Sequence, residues 1–331
     1  MLHTLSPLAE DLAGQTHPSP HYFQTQQCIR SLIDRYVAVE KLHERLQDLL
    51  IQFANPQPRP WKLIDWQTIN RNQIIGIEPE VFLSILIGAM DTEAPIRGYT
   101  QTSRQYLEKL HPQMARFVGG TVGEDNNLIE LGLWEKEERQ HTPALIKVYT
   151  QLTGDKITAT HRTVRGYLPT DDPYEDLYRH GLHRIATEYG ATCLYLWLMA
   201  HTTGALHDVL EELAQDEINH MTKFWGFGVW AFPDTGLMRI GRTLIKTRSQ
   251  NYQRNNLIRT LRRMMATLNW NAWSLTNKTT LLFTFTYTMH RLWTWNNTLT
   301  PKYLQTLFET PQSIIPAFRR DELRLYMKPV Q

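Results

Sequence analysis

The sequence predicts an all-α protein in which one large helical bundle carries polar residues in its core. Apolar residues recur at helical spacing over most of the 331 residues, and a hydrophobic content of 42% is enough for a sizeable core. Two copies of the motif Glu-x-x-His interrupt these apolar stripes. Prolines and glycines stand where long helices would end.

Five long helices are predicted before residue 235, and local breakers set their ends. Three prolines make residues 54–60 a loop, and Pro79 suits the first turn of a helix. Pro95 is expected to kink the second helix, and Gly204 to separate the fourth from the fifth. The five helices are expected over residues 21–53, from about 78 past Glu93, 124–152, 174–203 and 205–232. Residues 61–76 are expected to be irregular or a short helix, and residues 153–173 a long connection.

The C-terminal third is also predicted to be helical. A basic helix is expected over 236–268 and an aromatic, threonine-rich helix over 277–295. The second segment would suit strands by local propensity, but its place after five helices favours a helix. One more helix and a loose end are expected over 301–331. The predicted organisation is a flexible segment at 1–20, a bundle at 21–234 and a C-terminal extension at 235–331 that packs on the bundle.

Glu-x-x-His occurs four times, and its phase against the apolar stripe separates the four copies. Glu138/His141 and Glu217/His220 lie in phase with apolar neighbours, so they are predicted to point into the core. A buried carboxylate is costly unless something compensates its charge, as a metal ion would. The other two copies are one residue out of phase and are predicted to be solvated flank residues: Glu40/His43 and Glu108/His111.

Two lone carboxylates, Glu93 and Glu188, each precede one of the inward pairs. The resulting order is a lone Glu followed by Glu-x-x-His, then the same again, on four successive helices. Di-iron carboxylate bundles use one Glu from each of two helices and one Glu-x-x-His motif from each of two others. The sequence therefore predicts such a site within a duplicated helical hairpin. The alternative is a structural salt-bridge cluster, and the repeated order argues against it.

The net charge is only +2, but the positive charges are concentrated in one region. No Asp or Glu occurs from residue 235 to 307. Such a one-sign region favours an acidic partner, and a solvated helix face is the other interpretation. The candidate docking residues within it are Arg239, Arg242, Lys246, Arg259, Arg262 and Arg263.

The remaining composition is that expected of a cytoplasmic protein. Cys28 and Cys193 are too few for a disulfide framework, which suits a reducing compartment. Residues 1–20 are polar and do not read as a signal peptide. No run of 18 apolar residues occurs, so no transmembrane segment is expected.

Three stretches resemble the soluble acyl-acyl-carrier-protein desaturases of the ferritin-like superfamily. Residues 134–141 are similar to the family's Trp-x-x-Glu-Glu-x-x-His, and residues 216–220 to its Asp-Glu-x-x-His. Residues 88–99 are similar to its first ligand helix, with a Thr-Glu pair and a Tyr six residues after the Glu. The resemblance extends over about residues 61–232 and implies a ferritin-like bundle with a di-iron core and extra C-terminal helices.

The resemblance implies a role for each ligand. Two iron ions would activate O2 with electrons from a ferredoxin-type donor, and the substrate would be an acyl chain on an acyl carrier protein docked at the basic region. A homodimer is expected on the same basis. Terminal ligands would be Glu93 and Glu188, bridging ligands Glu138 and Glu217, and imidazole ligands His141 and His220.

Other residues around the ligands are also implicated. Asp216 matches a family residue that hydrogen-bonds a ligand His, and such partners orient the ring. Thr192, one turn past Glu188, is a candidate for the oxygen side of the site; alternatively its hydroxyl bonds its own helix backbone. Trp61 or Trp66 would lie on the electron path. The chain departs from the family next to the ligands, at Gln140, Thr142, Pro143, Asn219 and Met221.

These departures leave the type of reaction open. The first hypothesis is a di-iron acyl desaturase. A second keeps the iron but makes the protein a hydroxylase, an N-oxygenase or an oxidative decarboxylase. A third is a non-enzymatic iron-binding or structural bundle with a basic arm for nucleic acid or a membrane surface. The small net charge and the lack of a recognised binding motif argue against nucleic acid.

Overall fold

A computed structural model of the chain describes residues 20–108, 110–125, 127–160, 173–233, 235–236, 240 and 270–309. Helices dominate this part, so the predicted all-α class is confirmed for the described residues. Short 3-10 turns lie at 66–68, 71–73 and 270–272. The helices are α1 (Pro20–Tyr36), α2 (Val39–Ala54), α3 (Pro79–Glu93), α4 (Ile96–Glu108), α5 (Pro112–Gly119), α6 (Leu133–Thr153), α7 (Pro173–Met199), α8 (Gly204–Ala231), α9 (Leu275–Asn296) and α10 (Pro301–Phe308).

The first predicted helix is in fact two helices. The chain is extended at Ala38, with φ −62° and ψ 145°, and α2 starts at the next residue. Neither Gly nor Pro lies near this break. Val37 is fully buried there, and so is Leu42 in the first turns of α2. Tertiary packing of these side chains therefore overrides a continuous helical pattern.

A small antiparallel hairpin replaces the predicted start of the third long helix. Strands β1 (Thr121–Val122) and β2 (Leu128–Glu130) pair with Thr121 opposite Glu130. Gly120 has φ +80°, and a Cβ there would lie 1.7 Å from the Glu130 carbonyl oxygen, so the hairpin requires glycine. The turn-forming residues at 123–127 were a local signal for it.

Four helices pack together to form the centre of the molecule. α3 packs on α6, α7 on α8, and α6 contacts α8. The irregular segment 61–76 braces the turn between α7 and α8, where Thr203 N donates to Gln73 O (2.9 Å) and Ile75 N to His201 O (2.8 Å). These contacts fix the relative positions of the two longest helices.

The described part of the C-terminal extension packs on this centre. Trp197 Nε1 of α7 donates to Thr280 Oγ1 of α9 (3.0 Å), and Tyr189 OH donates to the Phe285 carbonyl (2.5 Å). The predicted aromatic helix is confirmed as α9 rather than a pair of strands. The predicted flexible segment and most of the basic helix lie outside the described residues. In the described part of the chain, every helix is too short or too polar to cross a bilayer.

Candidate metal centre

The structure brings the six predicted ligand residues together in the core between α3, α6, α7 and α8. Each side chain is at least nine-tenths buried. α3 contributes its last residue, and the helix ends there because Pro95 follows. The spacing of three residues puts each Glu and its His on one face of α6 and α8. The six residues are Glu93, Glu138, His141, Glu188, Glu217 and His220.

The six side chains form two overlapping groups, each able to surround one ion. One group contains Glu93 and His141, and the other contains Glu188 and His220. Glu138 and Glu217 belong to both groups. Within each group the ligand atoms lie within 4.8 Å of one another. Two ions bridged by a pair of carboxylates, each ion with one further Glu and one His of its own, require this arrangement.

Both imidazole rings turn Nδ1 towards the carboxylates. His141 Nδ1 lies 3.2 Å from Glu217 Oε1 and 3.4 Å from Glu138 Oε2. His220 Nδ1 lies 3.0 Å from Glu138 Oε1 and 3.6 Å from Glu188 Oε2. The two rings stack, with centroids 6.2 Å apart.

Unpaired atoms inside the cluster test whether a metal fits. Within the described part of the chain, several buried side-chain atoms have no hydrogen-bond partner, and four of them lie in this cluster: Glu138 Oε2, His141 Nδ1, Glu217 Oε1 and His220 Nδ1. Leaving a buried polar atom unpaired costs about 1–3 kcal/mol, and more for a charged group. All four belong to the ligand groups and would be satisfied by metal coordination. Carboxylate and imidazole donors suit divalent ions such as iron or manganese, so the residues fit a pair of such ions.

The Nε2 atom of each histidine contacts a further carboxylate that does not belong to the ligand groups. His141 Nε2 lies 3.3 Å from Asp216 Oδ2, and His220 Nε2 lies 2.8 Å from Glu137 Oε2. A carboxylate can only accept, so each ring donates Nε2–H and keeps Nδ1 as an acceptor for metal. Asp216 therefore occupies the predicted orienting position. Glu137 was not predicted, although the pair Glu137-Glu138 repeats the pattern of Asp216-Glu217.

Arg59 connects the two orienting carboxylates. Its Nε donates to Asp216 Oδ1 (2.7 Å), and its backbone N donates to Glu137 Oε1 (2.8 Å). Nη1 also donates to the buried Glu212 (2.5 Å). The loop predicted at 54–60 thus carries a residue of the site, which its proline-rich sequence did not reveal.

The structure distinguishes between the two candidate tryptophans. Trp61 Nε1 donates to Asp216 Oδ2 (2.8 Å), so Trp61 is linked to His141 through one carboxylate. Trp66 instead lies under Lys147, whose Nζ is 4.2 Å from the ring centroid. Of the two, Trp61 is the one in contact with the site.

In the metal-free state the carboxylates cannot all ionise freely. Burial, with the neighbouring charge of Glu138, raises the pKa of Glu93 to about 8. Burial and the same neighbour raise the pKa of Glu217 well above its usual value. Burial opposes ionisation of Glu138, but its contacts with His141 hold its pKa well below the usual range. Without a metal ion, Glu93 and Glu217 therefore favour their protonated forms, and metal binding would displace these protons.

Thr192 is buried on α7, one turn after Glu188. Within the described residues its Oγ1 has no hydrogen-bond partner. Thr187 on the same helix behaves differently, since its hydroxyl donates to the His183 carbonyl (2.9 Å). The backbone-bonding interpretation of Thr192 is therefore wrong, and the predicted role on the oxygen side stays a prediction.

The two motif copies predicted to be solvated both have an exposed glutamate, Glu40 and Glu108, as predicted. Their histidines differ: His43 is half-buried, whereas His111 is fully buried, so the prediction was wrong for His111. Helical phase does not predict the burial of His111 because the helix ends before Pro112. His111 instead caps α5: its Nδ1 accepts from Met114 N (3.0 Å), and its Nε2 donates to the Phe308 carbonyl (2.9 Å). Neither copy joins the metal-ligand groups found among the described residues.

The predicted docking residues Arg239, Arg242, Lys246, Arg259, Arg262 and Arg263 lie outside the described residues. The chain matches no protein-family model, and searches of curated proteins and of solved structures find no similar protein. Function is therefore inferred from the geometry of the site itself.

Proposed function

We propose that the chain is a ferritin-like di-iron carboxylate protein that uses O2 to oxidise an acyl chain. The observation that carries this proposal is the pair of buried ligand groups that share Glu138 and Glu217. A structural salt-bridge cluster would pair its buried atoms, whereas here His141 Nδ1 has no hydrogen-bond partner although it lies 3.4 Å from Glu138 Oε2 and 3.2 Å from Glu217 Oε1, which are also unpaired.

Bound iron would supply the oxygen chemistry, with two electrons from an external donor. The protein's own residues hold the two sites and exclude water. Asp216 and Glu137 fix the histidine rings, and Trp134 Nε1 fixes Glu138 by donating to Oε1 (2.8 Å). Tyr195 OH donates to Glu93 Oε1 (3.2 Å). These contacts position the ligands before metal binds, which lowers the cost of ordering the site.

Desaturation is the reaction expected from the resemblance to acyl-carrier-protein desaturases. Two features of the fold are compatible with an apolar substrate. The ligand groups are enclosed by helices, and an apolar cavity lies one layer of side chains away, lined by Phe224, which packs against Trp134 with ring centroids 5.3 Å apart. Insertion of oxygen is the competing outcome for the same site.

Metal analysis tests the first part of the proposal. We expect about two iron ions per chain after anaerobic reconstitution with ferrous iron. The double variant Glu138→Ala/Glu217→Ala removes both shared ligands and should bind almost none. The matched control is Glu40→Ala/His43→Ala, which alters a copy of the same motif outside the ligand groups of the described residues and should keep the full iron content. Absence of bound iron in the unaltered protein would refute the proposal.

Product analysis tests the second part. The iron-loaded protein, a reductant, O2 and a panel of acyl substrates are incubated, and the products are examined by mass spectrometry. Loss of two mass units indicates desaturation, and a gain of sixteen indicates oxygen insertion. An iron-loaded protein that consumes no O2 with any acyl substrate would support the non-enzymatic hypothesis instead.

A further inference from the structure

An apolar cavity of about 240 Å³ lies beside the metal centre, between α4, α5, α7, α8 and α9. At roughly 30 Å³ for each group of water size, it has room for about eight such groups. Apolar side chains make up most of its wall, including Leu177, Phe224, Phe227 and Trp293. Its size suits a short alkyl chain.

Arg184 connects this cavity with the metal centre. Its side chain lines the cavity and is 10% exposed. Nη1 lies 3.6 Å from Oε1 of the ligand Glu188, one helical turn along α7, and the guanidinium carbon lies 4.2 Å from the centre of the Trp134 ring. The positive group therefore stands at the end of the cavity nearest the ligands.

The charged group in the cavity wall is a cation, and Glu188, which pairs with Arg184, does not line the cavity. Among the described residues that line it, Arg184 is the only charged side chain at neutral pH, and none is Asp or Glu. The other polar lining near Arg184 includes His180, whose Nε2 lies 2.5 Å from Ser103 Oγ. Burial, together with the nearby Arg184 charge, lowers the pKa of His180 to about 3, so this ring is neutral.

We infer that the cavity binds a free carboxylic acid of about eight carbons, with its carboxylate on Arg184 and its alkyl chain against the aromatic wall. A guanidinium carries five N–H donors, so Arg184 can bind a ligand carboxylate in addition to its contact with Glu188. This inference rests on the proposed function only in that the bound acid would be the molecule oxidised at the metal centre. The proposed substrate is then a free acid rather than the carrier-linked thioester expected from the sequence. Binding itself does not require iron.

Calorimetric titration of the purified chain with octanoate and with octanol tests this inference, with and without bound iron. We expect octanoate to bind at least tenfold more tightly than octanol. Arg184→Gln should remove that preference, and Arg184→Lys should keep part of it. Equal affinity for the two probes, or an unchanged preference in Arg184→Gln, would overturn the inference.

Two glycine variants test whether the acid binds in this cavity, and neither is expected to disturb the fold. Gly181 lines the cavity, and a Cβ there would meet no atom within 4 Å, so Gly181→Leu can fill the cavity without a backbone clash. Gly190 lies on the same helix, is equally open and does not line the cavity, which makes Gly190→Leu the matched control. Octanoate binding should be lost in the first variant and kept in the second, and binding that persists in Gly181→Leu contradicts the assignment. Octanoate binding by a chain that takes up no iron would uphold this inference while the proposed function fails.

Discussion

Glu137 and Asp216 have equivalent structural roles in the two halves of the site. Each precedes a shared ligand, accepts a hydrogen bond from the histidine of the other motif and is held in turn by Arg59. Because His141 pairs with Asp216 and His220 with Glu137, each pair links α6 to α8. The same hydrogen bonds therefore orient the rings and fix the two helices in register.

Loss of one orienting carboxylate should weaken metal binding without removing a ligand. We expect Glu137→Gln to lower iron affinity by about 10–100-fold, because His220 loses an ionised acceptor. Competition with a chelator measures the change. Glu135→Gln is the control, since Glu135 is also buried on α6 but accepts from Thr100 Oγ1 (2.7 Å) and Arg139 instead. An equal loss in both variants would show that general damage to α6 is the cause.

His111 should make the fold sensitive to mild acid. Burial lowers its pKa to about 4, below the value of about 6.5 expected in the unfolded chain. The unfolded state therefore binds the proton first, so stability is fully present above pH 6.5 and is lost as the pH falls towards 4. Between pH 7 and 5 this group should remove about 2 kcal/mol from the free energy of unfolding.

Urea unfolding at pH 7 and pH 5 tests the role of His111. The variant His111→Asn keeps an acceptor for the N-terminus of α5 but has no titrating ring, so it should lose less stability over this range. A pH dependence equal to that of the unaltered protein would assign the acid sensitivity to other groups.

At the scale of helices, prolines next to the ligands have different effects. α3 ends at Glu93, before Pro95, so this ligand sits at a helix terminus. Pro143 follows His141 within α6, yet the helix continues to Thr153. The predicted kink at Pro95 is in fact a helix end, after which α4 starts at Ile96. Pro95 therefore coincides with a helix end, whereas Pro143 lies inside a continuous helix. A proline in the sequence does not by itself predict which of the two occurs.

The contact between α2 and α8 depends on a glycine. A Cβ added at Gly226 would lie 2.6 Å from Leu46 Cδ1, and Leu46 is fully buried. We expect Gly226→Ala to lower the free energy of unfolding, because overpacking costs about 1–3 kcal/mol against a gain in helix propensity of about 0.5–1 kcal/mol. Gly190→Ala, where the added Cβ meets no atom within 4 Å, should stabilise the protein. Urea unfolding of both variants measures the difference, and equal effects would contradict the close packing.

At the scale of the whole molecule, α9 and α10 share one core with the helices that carry the candidate ligands. Leu292 and Trp295 of α9 are fully buried, as is Phe308 of α10, which stacks on Trp230 of α8 with centroids 5.4 Å apart. The described C-terminal helices are therefore part of the same packed body rather than an independent unit.

A leucine pair on α9 tests this shared core. Leu292→Ala should lower the free energy of unfolding by about 2–5 kcal/mol while the protein still unfolds in one transition. Leu282, which is 63% exposed on the same helix, is the control, and Leu282→Ala should change stability little. A separate early transition in Leu292→Ala, with iron retained, would show that α9 unfolds apart from the metal centre.

The sequence by itself determined the helical class, the alternation of ligands and the phase of the two inward motifs. These follow from the period of the α-helix, which is a local property. Only the tertiary structure decided that Arg59 and Trp61 reach Asp216 and that His111 is buried. Those facts depend on which helices pack together and on where loops cross them, and such contacts join residues far apart in the chain, for which no local spacing provides a signal.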